Sequence, residues 1–127
     1  MTTSNTQCDV LLVEDDLDVG TAMASYLARH GLDVRTAHSG SSALYLLQKV
    51  RPRVAILDFR LPDLDGVQLS QKILQQVPNL PIIMMSGAIG ELEQATLERI
   101  GIKIFVNKPV PLRSLLRAIL LLLKRSS

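Results

Sequence analysis

Short apolar runs alternate with segments of helical periodicity along this chain, and that alternation limits its possible folds more than any other feature. Each run is bounded by polar or turn-forming residues, as expected for a buried strand. Strands that are joined by helices pair in parallel through right-handed crossovers, which leaves helices on both faces of the sheet. We therefore predict an α/β domain with strands at residues 10–13, 33–37, 54–57, 80–85 and 103–106.

The intervening helices have clear stop signals. Glycine follows the first and fourth helical segments, and proline follows the second and third. Both residues commonly end helices. The predicted helices span residues 17–29, 39–50, 65–77, 91–100 and 112–124. The polar residues 1–8 are predicted to form a flexible tail, and residues 1–127 to form a single domain.

Composition excludes several classes of protein. With 127 residues and 47% hydrophobic side chains, the chain can build one compact core but not two. The 14 basic and 12 acidic residues are scattered and give a net charge of only +2, which does not indicate direct nucleic-acid binding. The longest apolar run, residues 118–123, is far shorter than the roughly 20 residues that cross a bilayer. A single cysteine, Cys8, and the lack of an apolar signal sequence predict a cytoplasmic location without membrane contact.

Polar side chains stand where four of the predicted strands end. Glu14 and Asp15 follow the first strand, Asp58 the third, Ser86 the fourth and Lys108 the fifth. In open parallel sheets ligands bind at the carboxyl ends of the strands. A buried aspartate at a strand end is costly unless a charged partner reaches it. We therefore expect these side chains to converge on one edge of the sheet.

Phosphoryl transfer is the chemistry that suits this set of residues. Three clustered carboxylates repel one another, and a divalent cation would neutralise them. A small number of oxygen ligands favours Mg²⁺. Asp58 could then attack phosphorus and form an aspartyl phosphate. Lys108 and Ser86 would contact the phosphoryl oxygens and stabilise their charge.

The chain resembles the receiver domain of bacterial two-component response regulators over residues 10–123. Four motifs in order carry the resemblance: Leu12-Val13-Glu14-Asp15, Leu57-Asp58 with Leu61-Pro62 and Asp65-Gly66, Met85-Ser86-Gly87, and Lys108-Pro109. The resemblance implies a flavodoxin-like (CheY-like) fold, a five-stranded parallel sheet in the order 2-1-3-4-5 with five helices on both faces. It also implies a cis Lys108–Pro109 bond. The implied function is a phosphorylation-activated signalling switch whose phosphoryl donor is a sensor histidine kinase or a phosphotransfer protein.

The acceptor and its metal site follow by position from the same resemblance. Asp58 matches the phosphoacceptor and Asp15 the direct Mg²⁺ ligand. Glu14 matches the outer acid that acts through water, and the backbone carbonyl of Arg60 matches the remaining protein ligand. The Arg60 side chain beside the acceptor could obstruct or orient the hydrolytic water, and the sequence leaves both open.

The switch residues are also assigned by the resemblance. Ser86 matches the switch hydroxyl, Phe105 the switch aromatic, and Lys108 the lysine that pairs with the phosphoryl group. Phe105 lacks the hydroxyl of tyrosine, so it can pack inward but cannot form a hydrogen bond when it points outward. Ser86 keeps the hydroxyl donor and lacks only the methyl group of threonine.

Five further ionisable residues near the motifs have simpler interpretations. Either Asp15 or Asp16 can cap the first helix, and Asp16 is predicted to be a cap or a solvated residue rather than a metal ligand. Asp63 and Asp65 are predicted to be turn or cap residues. His30 and His38 have no acidic partner in the motifs, so a solvated or capping role is preferred to metal binding or phosphorelay.

The last helix has more apolar residues than packing on the sheet requires. One face carries Leu112, Leu115, Leu116, Ile119, Leu122 and Leu123. Leu121 lies opposite this face and Leu120 on its flank. These leucines could belong to a homodimer surface formed by the last helices and the fifth strand, or to a helix that leads to an output domain.

Two other functions remain open at this stage. The chain could be an interaction module that keeps the fold but works without phosphate. It could also be a metal-dependent phosphatase with an aspartyl-phosphate intermediate, although such enzymes commonly have a general acid where this chain has Arg60. We favour the switch, which is not a turnover enzyme and only transfers a phosphoryl group to itself and slowly loses it.

Overall fold

The computed structural model describes residues 6–126 of the chain. Within this range strands and helices alternate, as the apolar runs predict. In chain order the elements are β1 (Thr6–Val13), α1 (Leu17–Arg29), β2 (Val34–Ala37), α2 (Gly40–Leu46), β3 (Val50–Asp58), α3 (Gly66–Gln76), β4 (Ile82–Ser86), α4 (Glu91–Arg99), β5 (Ile104–Asn107) and α5 (Leu112–Ser126).

All neighbouring strands of the described sheet are parallel, and their order is β2-β1-β3-β4-β5. The predicted fold class is therefore confirmed. The register aligns the strand ends, since Val13 pairs with both Ala37 and Leu57, and Asp58 pairs with Met85. The expected cis bond between Lys108 and Pro109 is also present.

The sheet separates two apolar cores. Alternate residues of β1 point to opposite faces, so Leu11 belongs to one core and Leu12 to the other. The first core lies against α2, α3 and α4, and the second lies against α1 and α5. Both residues are fully buried, which explains why the strands read as continuous apolar runs rather than as alternating ones.

Aspartate side chains cap the N-termini of two helices, as predicted. Asp16 Oδ1 accepts hydrogen bonds from the amides of Asp18 at 3.0 Å and Val19 at 3.1 Å, and so caps α1. Asp65 caps α3 through the amide of Gln68 at 2.9 Å. Gly31, just after α1, has φ +88°, a left-handed conformation that glycine adopts without strain.

Three predicted boundaries are wrong by four residues: the start of β1, the end of α2 and the start of β3. Residues 6–8 belong to β1 and not to a flexible tail, because they pair with β3 and Cys8 is buried. The predicted tail at residues 1–5 lies outside the described residues. The second helix ends at Leu46 rather than Val50, because Val50 begins β3 and pairs with Thr6.

The last helix packs as its sequence predicts. Leu115, Ile119 and Leu123 are buried, whereas Leu120 is 46% and Leu121 56% exposed. None of the helices in residues 6–126 has the length and apolar character needed to cross a membrane.

Candidate functional site

The fully buried run from Val54 to Leu57 carries Asp58 to the carboxyl end of the central strand, where its side chain is almost inaccessible to solvent. Two contacts hold the carboxylate. Oδ1 accepts a hydrogen bond from the amide of Arg60 at 3.3 Å, and Oδ2 accepts one from Nζ of Lys108 at 2.8 Å. These partners offset the cost of burying the charge.

Two more carboxylates reach Asp58 from the end of β1. Glu14 is only 1% exposed, whereas Asp15 is exposed to solvent. One oxygen from each of Glu14, Asp15 and Asp58 lies within 4.8 Å of the other two. The structure thus brings together the three acids that the sequence predicts to converge.

Lys108 joins these acids from the end of β5. Its backbone amide donates to the carbonyl of Ser86 at 2.9 Å, which fixes the residue beside β4. Its Nζ lies 2.8 Å from Asp58 Oδ2 and 2.9 Å from Glu14 Oε1. One cation therefore faces two buried carboxylates.

Burial and mutual contact shift the pKa values of Glu14 and Lys108. Burial raises the pKa of Glu14 above its ordinary value, although the contacts with Lys108 and the amide of Asp16 act against it. Burial acts to lower the pKa of Lys108, but the hydrogen bonds with Asp58 and Glu14 outweigh it and raise that pKa. Lys108 therefore stays cationic at neutral pH.

Ser86 ends β4 next to this group and is 6% exposed. Its register partner on β5 is Asn107, the residue before Lys108. The hydroxyl oxygen accepts a hydrogen bond from the amide of Ala88 at 3.0 Å. Because that oxygen acts as acceptor, the hydroxyl proton remains available for donation to another group.

The acidic cluster fits a small, hard cation. Its donors are all carboxylate oxygens, which suits Mg²⁺ better than softer metals. Glu14 is buried while Asp15 is open to solvent, so an ion at this position could keep several waters. The carbonyl of Arg60 remains a predicted ligand.

The side chains of two other predicted site residues make their described contacts outside this cluster. The guanidinium of Arg60 is exposed, and its central carbon lies 5.8 Å from the centre of the Phe59 ring. Phe105 is half-buried and packs against the core on the α3 and α4 side of the sheet. Their roles in hydrolysis and switching remain predictions.

Sequence reasoning missed two contacts around the site. Asp63, predicted to be a turn or cap residue, caps α2 through the amides of Gly40 and Ser41. His38 bonds through Nδ1 to the carbonyl of Glu14 at 3.0 Å. These partners are distant in sequence, so no local pattern could identify them. His30 has the predicted capping role, since its Nδ1 lies 2.9 Å from the carbonyl of Tyr26.

A largely apolar cavity of about 510 Å³ lies beside the acids and the lysine. It runs between α1 and the segment after β5. Its lining residues are Glu14, Asp16, Val19, Ala22, Met23, Lys108, Pro109, Val110 and Leu112. The site is therefore flanked by a hydrophobic surface.

Known proteins share both the sequence pattern and the fold. The family model of the response regulator receiver domain matches residues 10–120. The transcriptional regulatory protein GltR of Pseudomonas aeruginosa is 34% identical over 119 residues, which cover 92% of this chain and 49% of that protein. The transcriptional regulatory protein AfsQ1 of Streptomyces coelicolor is 36% identical over 114 residues, covering 87% and 50%. The chain thus spans about half the length of the curated relatives it matches.

A solved structure gives the same picture at the level of the fold. A CheY-like response regulator receiver domain protein from Methanospirillum hungatei superposes with a TM-score of 0.87 at 25% identity. The match covers 96% of each chain. The agreement extends over nearly all of the described sheet and helices.

Proposed function

The chain belongs to the receiver domain family of response regulators, and from this premise we propose that Asp58 is its phosphoryl acceptor. Receiver domains of two-component systems are phosphorylation-activated signalling switches, and this chain is homologous to them. The observation that carries the proposal is the buried carboxylate of Asp58, which lies 2.8 Å from Lys108 and beside Glu14 and Asp15.

The proposed reaction transfers a phosphoryl group from nitrogen to oxygen. The phosphorus–nitrogen bond of a phosphohistidine breaks as a phosphorus–oxygen bond forms with a carboxylate oxygen of Asp58. The electron pair of the broken bond stays on the imidazole nitrogen, so the donor leaves as histidine and no oxidant or reductant is needed. Hydrolysis later returns Asp58 and inorganic phosphate.

We assign the Mg²⁺ site to Glu14, Asp15, Asp58 and the carbonyl of Arg60. When bound, Mg²⁺ supplies positive charge that stabilises the transferring phosphoryl group. The three carboxylates hold the ion next to the acceptor, and their oxygens are close enough to share one cation. A cation there would also offset the mutual repulsion of three carboxylates at one sheet edge.

Lys108 and Ser86 complete the proposed acceptor site. Lys108 brings a second positive charge to the acceptor, and it is oriented in advance by its contacts with Asp58 and Glu14. Ser86 retains a hydroxyl proton for a phosphoryl oxygen, since its own oxygen is already an acceptor for Ala88. Phosphorylation then shifts the packing of the loop after Ser86 and of Phe105, and this shift is the proposed signal.

The proposed phosphoryl donor is a sensor histidine kinase or a phosphotransfer protein in the cytoplasm. The apolar cavity beside Lys108 offers such a donor a contact surface next to the acceptor. The buried, free thiol of Cys8 is compatible with a reducing compartment. Direct contact with nucleic acid is not part of the role proposed for these residues, because their net charge is only +2.

Self-association through the last helices and the fifth strand is the second interaction that we propose. Leu120 and Leu121 remain substantially exposed on α5. With Tyr26 and His30 they line a groove of about 420 Å³ between α5 and α1. The exposed leucines therefore place the apolar part of the proposed surface on the α1 side of α5, and the residues that line this groove include none from α4 or β5.

The other two functions are less well supported. A phosphate-independent interaction module would not need Glu14, Asp15 and Lys108 around Asp58, and Mg²⁺ titration separates it from the switch. A phosphatase would need a general acid near the acceptor, whereas this chain has the guanidinium of Arg60, a group that does not serve as a general acid. Release of many phosphates per protein from a generic phosphoester would favour the phosphatase.

The proposal can be tested by incubating the protein with Mg²⁺ and a small acyl phosphate and measuring its intact mass. We expect the wild type to gain the mass of one phosphoryl group and Asp58→Asn to gain none. Asp65→Asn is the matched control, since it changes a nearby aspartate that caps α3, and it should still form the adduct. An unmodified wild type, or an equal adduct on Asp58→Asn, would refute the assignment.

A further inference from the structure

A side chain of the loop between β3 and α3 ties that loop to the start of α2. Asp63 Oδ1 accepts a hydrogen bond from the amide of Gly40 at 2.8 Å, and Oδ2 accepts one from the amide of Ser41 at 2.9 Å. Both are charge-assisted contacts to amides at a helix start, where a negative charge is favourable. They lower the pKa of Asp63 below its ordinary value, so the carboxylate remains charged.

An apolar contact reinforces this connection. A Cβ atom placed on Gly40 would lie 2.5 Å from Cδ1 and 2.9 Å from Cγ of Leu64, the residue after Asp63. Only glycine lets the loop approach the helix this closely. Leu64 is half-buried against the core on this face of the sheet. The loop and the helix start are therefore in contact through both polar and apolar groups.

The same segment also holds the loop that carries the acidic pair. The amide of Glu14 donates to the carbonyl of Ala37 at 3.0 Å. His38 Nδ1 lies 3.0 Å from the carbonyl of Glu14, which can only accept, so the His38 ring is the donor. Residues 37–41 thus connect the loop with Glu14 and Asp15 to the loop that follows Asp58, although they contribute no acid to the cluster.

From these contacts we infer that Asp63 is a positioning residue, which holds the loop after Asp58 in register with the acidic pair through α2. The inference rests on the proposed function of Asp58 and the acidic cluster. Other contacts act at different points of the loop. At the start of the loop the amide of Phe59 donates a hydrogen bond to the carbonyl of Met85 at 2.8 Å. Within the loop the amide of Leu61 donates one to the carbonyl of Leu64 at 3.2 Å. Asp63 connects the middle of the loop to a separate helix.

The main consequence concerns cation affinity. Residues that orient metal ligands without touching the ion typically change affinity by about 10- to 100-fold when they are removed. Loss of the Asp63 contacts would remove one of the restraints on Arg60 relative to Glu14 and Asp15, while the hydrogen bond from the Arg60 amide to Asp58 would remain. We therefore expect Mg²⁺ to bind about tenfold more weakly when Asp63 cannot accept these hydrogen bonds.

Asp63→Ala can be compared with Ser39→Ala by calorimetric titration with Mg²⁺. Both changes remove a cap of α2, because Ser39 Oγ accepts from the amide of Ser42 at 3.1 Å. Only Asp63→Ala releases the loop. We expect about a tenfold rise in the Mg²⁺ dissociation constant for Asp63→Ala and little change for Ser39→Ala. Asp63→Asn keeps one acceptor oxygen and should give an intermediate value.

Amide hydrogen exchange without Mg²⁺ separates this inference from the proposed function. In Asp63→Ala we expect the amides of Arg60 and Leu61 to exchange faster than in the wild type, and in Ser39→Ala to exchange at the wild-type rate. Wild-type exchange rates at Arg60 and Leu61 in Asp63→Ala would overturn the inference, whether or not this variant binds Mg²⁺ normally. Failure of the wild type to bind Mg²⁺ would instead overturn the metal site, while the exchange result would still decide the role of Asp63.

Discussion

Nζ of Lys108 lies 2.8 Å from Oδ2 of Asp58, so the terminal strand and the central strand of the sheet are joined by an ion pair at their carboxyl ends. The same ammonium also lies 2.9 Å from Glu14. Lys108 therefore has two effects that can be measured separately. It contacts two buried acids in the resting protein, and in the proposed reaction it supplies charge during phosphoryl transfer.

Replacing Lys108 by Met should destabilise the resting protein. Glu14 and Asp58 would face each other without a cation, and breaking a buried ion pair commonly costs about 3–5 kcal/mol. The Lys108 side chain is 28% exposed, so we expect a smaller loss of about 1–3 kcal/mol in the free energy of unfolding. Urea denaturation without Mg²⁺ measures it. Lys108→Arg keeps the charge and should lose less, and an unchanged midpoint for Lys108→Met would contradict the prediction.

Asp15 should control Mg²⁺ affinity more strongly than its neighbour Asp16. Asp15→Asn removes the charge of a proposed ligand, and we expect the dissociation constant for Mg²⁺ to rise at least about tenfold. Asp16→Asn removes a charge next to it but keeps a good N-cap for α1. Calorimetric titration should therefore show a near wild-type value for Asp16→Asn. Equal losses in the two variants would mean that net charge rather than ligation sets the affinity.

Close packing at the start of α3 makes Gly66 intolerant of a larger residue. A Cβ atom there would lie 2.7 Å from Cδ1 of Phe59 and 2.8 Å from Sδ of Met84, both in the core. We expect Gly66→Ala to lower the free energy of unfolding by about 1–3 kcal/mol, as overpacking usually does. Gly87→Ala is the control, because no heavy atom outside its chain neighbours lies within 4 Å of a Cβ at Gly87. Thermal denaturation should show a lower midpoint for Gly66→Ala than for Gly87→Ala.

Cys8 should make the protein less stable at alkaline pH. Burial raises the pKa of its thiol from 9.0 to about 11. As the pH rises above 9.0 the unfolded chain loses the proton while the folded protein keeps it, so unfolding is favoured. Between about pH 8 and about pH 10 we expect the wild type to lose on the order of 1 kcal/mol relative to Cys8→Ala. Urea denaturation measures the free energy of unfolding of both proteins. The same difference between the wild type and Cys8→Ala at both pH values would argue against a buried thiol.

The proposed self-association should depend on Leu121, which is 56% exposed on α5. Leu121→Lys places a charge in the groove that it forms with Leu120, and we expect it to weaken dimerisation about tenfold. Tyr45→Lys on α2 is the control, since Tyr45 is 59% exposed, lies outside the last helices and β5, and does not line that groove. Sedimentation of the protein with a bound phosphoryl mimic measures the dimer. A wild type that stays monomeric at high concentration would exclude this surface.

The acids of the site could be predicted because their positions follow from the parallel sheet. A continuous apolar run predicts a buried strand, and parallel strands bring their carboxyl ends to one edge. Asp58 follows such a run directly, and so do Glu14 and Asp15. Identifying the partners of Asp58 needed only the order of the motifs and no knowledge of side-chain geometry.

The start of β3 could not be predicted because tertiary contacts override the local signal. Pro52 usually marks the end of a helix, and it suggested that a helix runs to Val50. In the structure Pro52 pairs with Cys8 of β1, while β4 first pairs with β3 at Ala55. Here β3 is a local edge of the described sheet, and a missing amide is tolerated at an edge.

The contacts of Asp63 and His38 could not be predicted from the sequence for a related reason. Local sequence patterns predicted that Asp63 would serve a turn or a cap, and its two oxygens do accept backbone amides. The helix it caps is the preceding one, Gly40–Leu46, and not the one it precedes. Which helix an acid serves depends on how the loops pack, and a single sequence does not encode that packing in any short pattern.

The two cores on opposite faces of the sheet allow the chain to vary in two independent compartments. No residue of the described core belongs to both clusters, and substitutions that share no partners usually add within about 0.5 kcal/mol. Leu69 on α3 and Leu27 on α1, for example, lie in separate clusters. Substitutions in the core beside α1 and α5 can therefore accumulate during evolution without compensating substitutions in the core beside α3 and α4. The surface on one side of the molecule could therefore change while the packing beneath the other side stays as it is.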